Sequence, residues 1–166
     1  QRLILLQSLS IHLLNSERVS DEELAKFMNT VARLRKLKRI KLKFEKAWGF
    51  TDFGIRVIVE NLSKLSLEVL RLFLTDCVQV TDDGLRAFSR GIGSMKNIKE
   101  LEIHLEGWND ITDRGISSLR ESIKNMRHIE RLSLNLTSCE NISPESLGTI
   151  MEALEESTKR RHCMSP

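Results

Sequence analysis

The sequence predicts an α/β solenoid in which one strand–loop–helix unit is repeated about five times. Three observations support this: an apolar block that returns at a fixed spacing, a hydroxyl residue at a fixed position after each block, and helical periodicity further on. The blocks begin near residues 6, 37, 67, 98 and 129, so consecutive units are 30 or 31 residues apart. Stacked units of this kind place a parallel sheet on the concave side of a right-handed superhelix and the helices on its convex side.

Each unit opens with a predicted strand. The five blocks are LQSLSIHL from Leu6, LKRIKLKF from Leu37, LEVLRLFL from Leu67, IKELEIHL from Ile98 and IERLSLNL from Ile129. In every block the first, fourth, sixth and eighth residues are apolar. Apolar residues at alternating positions are typical of a strand with one buried face, and about five loop residues follow each strand.

A predicted helix start follows each loop. The hydroxyl residues at this position are Ser20, Thr51, Thr81, Thr112 and Ser143. Their side chains are suited to accept an N–H group of the first helical turn. The next residue is Asp in four units, which favours the positive end of the helix dipole, and Pro144 in the fifth, which suits the first helical position. Three units carry a glycine two residues later, where a missing side chain permits close packing. The last helix is predicted to end near Glu156.

The third unit contains the pattern L-x-L-x-x-C-x-x-V-T-D-x-G-L from Leu72 to Leu85. This pattern resembles the leucine-rich repeat family, in its ribonuclease-inhibitor-like, cysteine-containing branch, which includes F-box substrate receptors and Ran GTPase-activating proteins. The resemblance extends from Leu6 to near Glu156. It implies a recognition scaffold that binds another protein, because the family is a scaffold with many partners.

Composition predicts one domain. The chain has 166 residues, 40% of them hydrophobic, and no shift in composition that would mark a second domain. We expect a single leucine-rich repeat domain over residues 1–158 and a basic tail over residues 159–166. The start at Gln1, without a polar terminal cap, leads us to expect a fragment of a longer array. No apolar run is long enough to span a membrane, and three unpaired cysteines favour a reducing compartment, so the predicted location is intracellular and cytoplasmic.

The cysteines and histidines do not indicate catalysis or metal binding. Cys77 and Cys139 share one column with Ser16, Ala47 and Trp108, and this column is expected to face inward. The two histidines that share a strand position, His12 and His104, are separated by two intervening units, which is too far for them to hold one metal ion. We therefore predict no enzyme activity, no cofactor, no metal and no small-molecule substrate. The large Trp108 in a column of small residues suggests that the GWND loop is pushed outward as a secondary site.

The predicted binding surface is the concave face of the sheet. The fifth and seventh strand positions are expected to face it, and the residue after the strand is expected at its rim. The candidate protein-binding residues in these columns are Lys41, Lys43, Arg71, Phe73, Glu102, His104, Glu106 and Asn135. We expect a basic patch on the second and third units, an acidic patch on the fourth, and an exposed Phe73 between them, which is the composition of a protein-binding hot spot. The alternative is that these columns are merely solvated.

A basic run over residues 33–46 leaves other functions open. It holds eight basic residues against the single Glu45. Its candidate basic edge comprises Arg35, Lys36, Lys38 and Arg39, with the last two expected in the turn before the strand. No aromatic residue interleaves the run, which argues against nucleic-acid binding without excluding it. Two other functions are therefore possible alternatives to partner binding through the concave face. The protein is a structural subunit of a large assembly that contacts RNA through this run, or it is a regulator of a small GTPase.

Overall fold

The computed structural model describes residues 5–126 and 128–162, with side chains up to residue 156. The strands are β1 Ser8–Leu13, β2 Arg39–Phe44, β3 Val69–Leu74, β4 Glu100–His104 and β5 Arg131–Asn135. The helices are α1 Asp21–Val31, α2 Asp52–Leu62, α3 Asp82–Gly93, α4 Asp113–Asn125 and α5 Pro144–His162. A single 3-10 turn, Ser16–Arg18, lies between β1 and α1.

The five strands form one parallel sheet in the order β1-β2-β3-β4-β5, and each helix packs against the helices of its neighbouring units. The register joins equal positions of neighbouring units: Leu42 lies opposite Leu72, and Leu72 lies opposite Ile103. These three side chains are fully buried between the sheet and the helices. The predicted α/β solenoid with a parallel sheet is therefore confirmed.

A left-handed residue turns the chain away from the sheet in every unit. The backbone φ is positive at Asn15, Lys46, Asp76, Gly107 and Ser138, with values between 54° and 75°. These residues occupy one column, two positions after the eighth strand residue. Only Gly107 adopts this conformation without a side-chain penalty. Asn15 and Asp76 are of types that tolerate this conformation, whereas Lys46 and Ser138 are not, so the residue type alone does not determine the turn.

A series of carboxylates joins the helix starts of neighbouring units, and we call Asp21, Asp52, Asp82 and Asp113 the aspartate ladder. The Oδ1 atom of Asp52 accepts the backbone N–H of Thr81 at 2.8 Å, and its Oδ2 accepts the Thr81 hydroxyl at 2.7 Å. Asp82 binds Thr112 with the same two distances. Asp21 and Asp113 bind Thr51 and Ser143 of the following units. Each Asp therefore binds the next unit as well as lying at the N-terminal end of its own helix.

The glycines at the third helical position make room for the aspartate ladder. A Cβ atom on Gly54, Gly84 or Gly115 would lie well inside van der Waals distance of the carboxylate from the preceding unit. Within the described residues no carboxylate from a preceding unit reaches the first helix start, which carries Glu23 at this position. The Glu23 carboxylate accepts the Ser20 N–H at 2.9 Å, so the first helix start is capped from within its own unit.

The last helix continues to His162 and does not end near Glu156 as the sequence analysis expected. Lysine and arginine are good helix formers, and their charges favour the negative end of the helix dipole. Residues 159–162 of the predicted basic tail are therefore helical. Residues 1–4 and 163–166, which include Gln1 and Cys163, lie outside the described residues. The fragment of a longer array stays a prediction.

We expect Gly84→Ala to lower the free energy of unfolding by roughly 1–3 kcal/mol, because the new Cβ atom displaces the Asp52 carboxylate and Val80. Urea denaturation at neutral pH measures this change. Gly148→Ala is the matched control: nothing lies within 4 Å of its Cβ position, and the site is exposed within α5. Here Ala should stabilise by about 1 kcal/mol through its higher helix propensity. Equal effects of the two substitutions would contradict the steric role of Gly84.

The Asp113 carboxylate gives the stability a predictable dependence on pH. Its pKa is lowered, first by the bond from the Ser143 N–H and then by the hydroxyls of Ser146 and Ser143. A lowered folded-state pKa contributes stability above the unfolded value of about 3.9, and this contribution is lost as the pH falls through the folded pKa. We therefore expect Asp113→Asn to lower the free energy of unfolding at neutral pH. The difference from wild type should disappear in acid, where the Asp113 carboxyl of the wild type is protonated. Denaturation curves at several pH values measure it; a pH-independent difference would contradict the assignment.

Candidate protein-binding face

The outward face of the sheet consists of three columns of strand residues. The fifth and seventh strand positions face outward as predicted, and their registers join Lys41 to Arg71 and Phe73 to His104. The third strand position also faces outward, although the sequence analysis did not predict it. Its members, in strand order, are Ser8, Arg39, Val69, Glu100 and Arg131.

Arg39 is part of this face, and its predicted place in the turn is wrong. Its backbone N–H donates to the Gln7 carbonyl at 3.0 Å, and it pairs with Ser8 of β1 and Val69 of β3. The strand thus begins one residue earlier than the turn assignment allowed. Pairing with the neighbouring strands β1 and β3 determines where β2 begins, and the sequence of one unit does not reveal that pairing.

A stack of three side chains occupies the centre of the face. The Lys41 ammonium lies 5.0 Å from the centroid of the Phe73 ring. The Phe73 ring stacks on the His104 imidazole with centroids 4.3 Å apart and an interplanar angle of 23°. Phe73 is half-buried and not fully exposed as predicted, because its neighbours cover the ring from both sides. The stack joins three units and combines cation–π and ring contacts.

His104 is held by two further polar contacts. Its Nε2 atom lies 3.2 Å from Glu102 Oε1, and its Nδ1 atom lies 3.3 Å from Asn135 Nδ2. The Asn135 Oδ1 atom accepts the Thr137 N–H at 2.9 Å and the Thr137 hydroxyl at 2.5 Å, so the amide N–H₂ group faces the imidazole. This network fits an imidazole that accepts at Nδ1 and donates from Nε2 to Glu102. The ring orientation is thereby fixed.

The charged residues of the face are largely paired with one another. Arg71 lies 3.6 Å from a Glu100 oxygen and 3.4 Å from a Glu102 oxygen, and Arg131 also binds Glu100. The bond from Arg131, with smaller contributions from Arg71, lowers the pKa of the Glu100 carboxyl. The predicted acidic patch on the fourth unit is therefore neutralised by arginines from the units on either side. Glu106 lies half-buried at the rim, outside this network.

The predicted basic patch is only partly neutralised by carboxylates. Lys43 lies 2.6 Å from Glu45, which also binds His12 at 3.1 Å. Lys43, followed by His12, lowers the pKa of the Glu45 carboxyl. Among the described residues, Arg39 and Lys41 form no ion pair with a carboxylate. These two cations therefore carry the net positive charge of the face.

The four residues of the predicted basic edge do not form one patch. Arg35 donates to the Lys64 carbonyl at 3.2 Å, and Lys38 lies 3.3 Å from Glu68. Lys36 is exposed near the start of β2, and Arg39 lies on the sheet face. Two of the four cations thus already have partners, Arg35 in the second unit and Lys38 in the third.

The inward column contains the buried thiols and Trp108. Cys77 and Cys139 are buried as predicted, and burial raises the pKa of both thiols. Trp108 has no exposed surface, and its Nε1–H donates to the Leu74 carbonyl at 2.7 Å. The indole therefore lies in the interior, where it has a hydrogen-bond acceptor, and the outward displacement of the GWND loop as a secondary site stays a prediction.

Two further features bear on the chemistry of the described residues. Within residues 5–126 and 128–162, no group of three or more His, Cys, Asp and Glu side chains is placed to hold a metal ion. No helix in this part of the chain has both the length and the apolar character needed to cross a membrane.

The fold is an α/β solenoid with the architecture found in leucine-rich repeat proteins. A family model described as Leucine Rich repeat matches residues 96–119. The tropomodulin C-terminal domain of Caenorhabditis elegans is similar over 95% of this chain and 87% of that chain, with a TM-score of 0.66 and 18% identity. Leiomodin-1 actin-binding site 2 is similar over 92% of this chain and 82% of that chain, with a TM-score of 0.63 and 14% identity. The comparison with curated proteins finds no match. Identities this low show a shared fold alone.

We expect Glu100 to titrate below the ordinary glutamate value of about 4.3 in the intact protein. Arg131→Ala removes the main cause and should move the midpoint upward, with Arg71 retaining part of the shift. Carboxyl-detected NMR titration measures both midpoints. Arg114→Ala, which removes an exposed arginine of α4, is the control and should leave the midpoint unchanged. An unchanged midpoint in Arg131→Ala would contradict the pairing.

Proposed function

We propose that the chain is a non-enzymatic interaction module that binds a partner protein through the concave face of its sheet. One observation carries this proposal: Lys41, Phe73 and His104 form a stack at the centre of a face whose surrounding charges are paired. An aromatic centre with a polar surround is the composition of protein-binding hot spots. The candidate residues at the rim and on the flanks are Lys43, Arg71, Glu102, Glu106 and Asn135.

The face is largely arranged before any partner arrives. Contacts with Glu102 and Asn135 fix His104, and His104 in turn fixes the Phe73 ring. Side chains that are already ordered lose little conformational entropy on binding, so more of the contact energy contributes to affinity. Such order also favours a partner of defined shape.

The charges indicate the chemistry of the partner. Arg39 and Lys41 face outward without a carboxylate of their own in the described structure, whereas the remaining charges of the face are mostly paired. Carboxylates on the partner would complete this pattern. We therefore propose a partner with an acidic patch opposite the second unit.

The other interpretations have less support. The basic run of residues 33–46 is split between the edge and the sheet face, which weakens the proposal of an assembly subunit that contacts RNA. Regulation of a small GTPase rests on the resemblance to the Ran-activator branch, and the ribonuclease-inhibitor-like assignment itself rests on the Leu72–Leu85 pattern. Each of these, together with a cytoplasmic location, stays a prediction.

Actin is the first named protein to test. The leiomodin-1 domain that shares this fold is described as an actin-binding site. The fold likeness supports the choice of this test and no more, because unrelated partners bind the same fold.

The experiment compares three immobilised proteins: wild type, Lys41→Glu with Phe73→Ala, and Lys96→Glu with Met151→Ala. The third also reverses one lysine charge and truncates one large apolar side chain, at exposed residues away from the sheet face and from the loops that follow the strands. Affinity capture with quantitative mass spectrometry, and co-sedimentation with actin filaments, measure binding. We expect the concave-face variant to bind a partner at least about tenfold more weakly than wild type, as for a hot-spot substitution. The matched variant should bind that partner as wild type does.

Circular dichroism and urea denaturation show whether each variant is folded. A partner that all three proteins retain equally would contradict concave-face binding. Loss of that partner in the matched variant alone would place the interaction on another surface.

A further inference from the structure

A second exposed surface lies where the strands end and the helices begin. Its apolar side chains are Leu14, Trp48, Phe53 and Val78, whose exposed fractions are 64%, 45%, 55% and 42%. They come from the loops of the first three units and the first turn of α2. We call this surface, made of residues 13–23, 45–53 and 75–83, the loop edge.

The apolar residues of the loop edge lie on connected loops. Trp48 and Val78 occupy the same position in neighbouring units, and Gln79 donates to the Trp48 carbonyl at 2.5 Å. A parallel bridge between Thr51 and Gln79 joins the same two loops. Trp48 and Val78 are therefore held on adjacent segments, with Phe53 following two residues after Thr51.

The apolar character is confined to the early units. In the fourth and fifth units, Asn109 and Glu140 take the place of Trp48 and Val78. Arg114 and Glu145 take the place of Phe53. Because the loops have the same turn in every unit, the repeat geometry does not require apolar residues here. Exposed aromatic side chains that structure does not require are typical of interaction surfaces.

The loop edge is also strongly acidic. Its three segments hold nine Asp and Glu residues against Arg18 and Lys46, although the whole chain has a formal net charge of +3. The aspartate ladder uses three of these carboxylates, and Glu22 and Asp83 are exposed and form ion pairs with Lys26 and Arg86 of their own helices, at 2.8 Å and 3.0 Å. Carboxylates still outnumber cations on this surface when these two cations are included. Apolar side chains within an acidic border thus form a surface of defined chemistry.

We infer that the loop edge is a second interaction surface, which binds a basic amphipathic segment of a partner protein. Apolar side chains of that segment pack on Trp48, Phe53 and Val78, and its Lys and Arg side chains face the acidic border. The surface adjoins the concave face at the rim residues Leu14 and Glu45, whereas Trp48, Phe53 and Val78 belong to the loops and to the start of α2. One module therefore offers an acidic apolar edge and a basic-aromatic sheet face.

The test uses the two tryptophans as reporters. Trp48 is exposed and Trp108 is fully buried, so acrylamide quenching of tryptophan fluorescence reports mainly on Trp48. The probe is a peptide of about 18 residues, five turns of helix, with leucines on one face and lysines on the other. A second peptide has the same composition in an order that forms no apolar face. We expect the amphipathic peptide to protect Trp48 from acrylamide and to bind at least about tenfold more tightly than the scrambled peptide.

Variants locate the binding. Phe53→Ser with Val78→Ser should weaken binding of the amphipathic peptide about tenfold or more. Met151→Ser removes an exposed apolar residue of α5 and is the matched control, which should bind as wild type. Lys41→Glu with Phe73→Ala should also bind as wild type, so failure of the concave-face proposal leaves this test intact.

Three results would overturn the inference. The first is an absence of Trp48 protection by the amphipathic peptide. The second is equal binding of the two peptides, which would show attraction by charge alone. The third is protection of Trp48 that rises with protein concentration without peptide, which would identify a second copy of this chain as the occupant.

Discussion

Four carboxylates hold the helix starts of neighbouring units in line, and the columns of the sheet face depend on that alignment. Each carboxylate of the aspartate ladder accepts the backbone N–H of the next N-cap residue, and three of them also accept its hydroxyl. The strands are held together by backbone hydrogen bonds that carry no information about residue type. The ladder adds a contact that only a matched Asp and Thr or Ser pair makes. It therefore helps to keep equal positions opposite one another across all five units.

That alignment explains why residues from several units form one candidate binding face. Lys41, Phe73 and His104 are 31 or 32 residues apart in sequence and meet because their strands are in register. The same register brings Arg71 and Arg131 to the two sides of Glu100. Charges from three units cancel across the sheet, which leaves the aromatic stack as its most distinctive feature. The chemistry of the face is thus a property of neighbouring units and not of any one of them.

Sequence patterns predicted the strands, the helix starts and the inward column, because each depends on the periodicity of a single unit. The aspartate ladder was not predicted, since an Asp at a helix start also has a sufficient explanation within its own unit. The glycines gave a usable signal: they are present at Gly54, Gly84 and Gly115, and the first unit has Glu23 instead. The pairing of Glu100 and the position of Arg39 required the register of adjacent strands. Trp108 lies in the inward column as expected, but residue type alone does not reveal that the Leu74 carbonyl accepts its indole N–H.

The aspartate ladder also gives the units a direction. In each interior unit, the Asp carboxylate binds the unit that follows, and the glycine at the third helical position leaves space for the Asp carboxylate of the unit that precedes. The first unit fills its gap with Glu23, and the fifth has Pro144 where the others have Asp. Units two, three and four are consequently interchangeable in their joining chemistry, whereas the first and fifth are not. An additional copy of an interior unit would find matching partners on both sides, so duplication of such a unit would lengthen the arc from its middle.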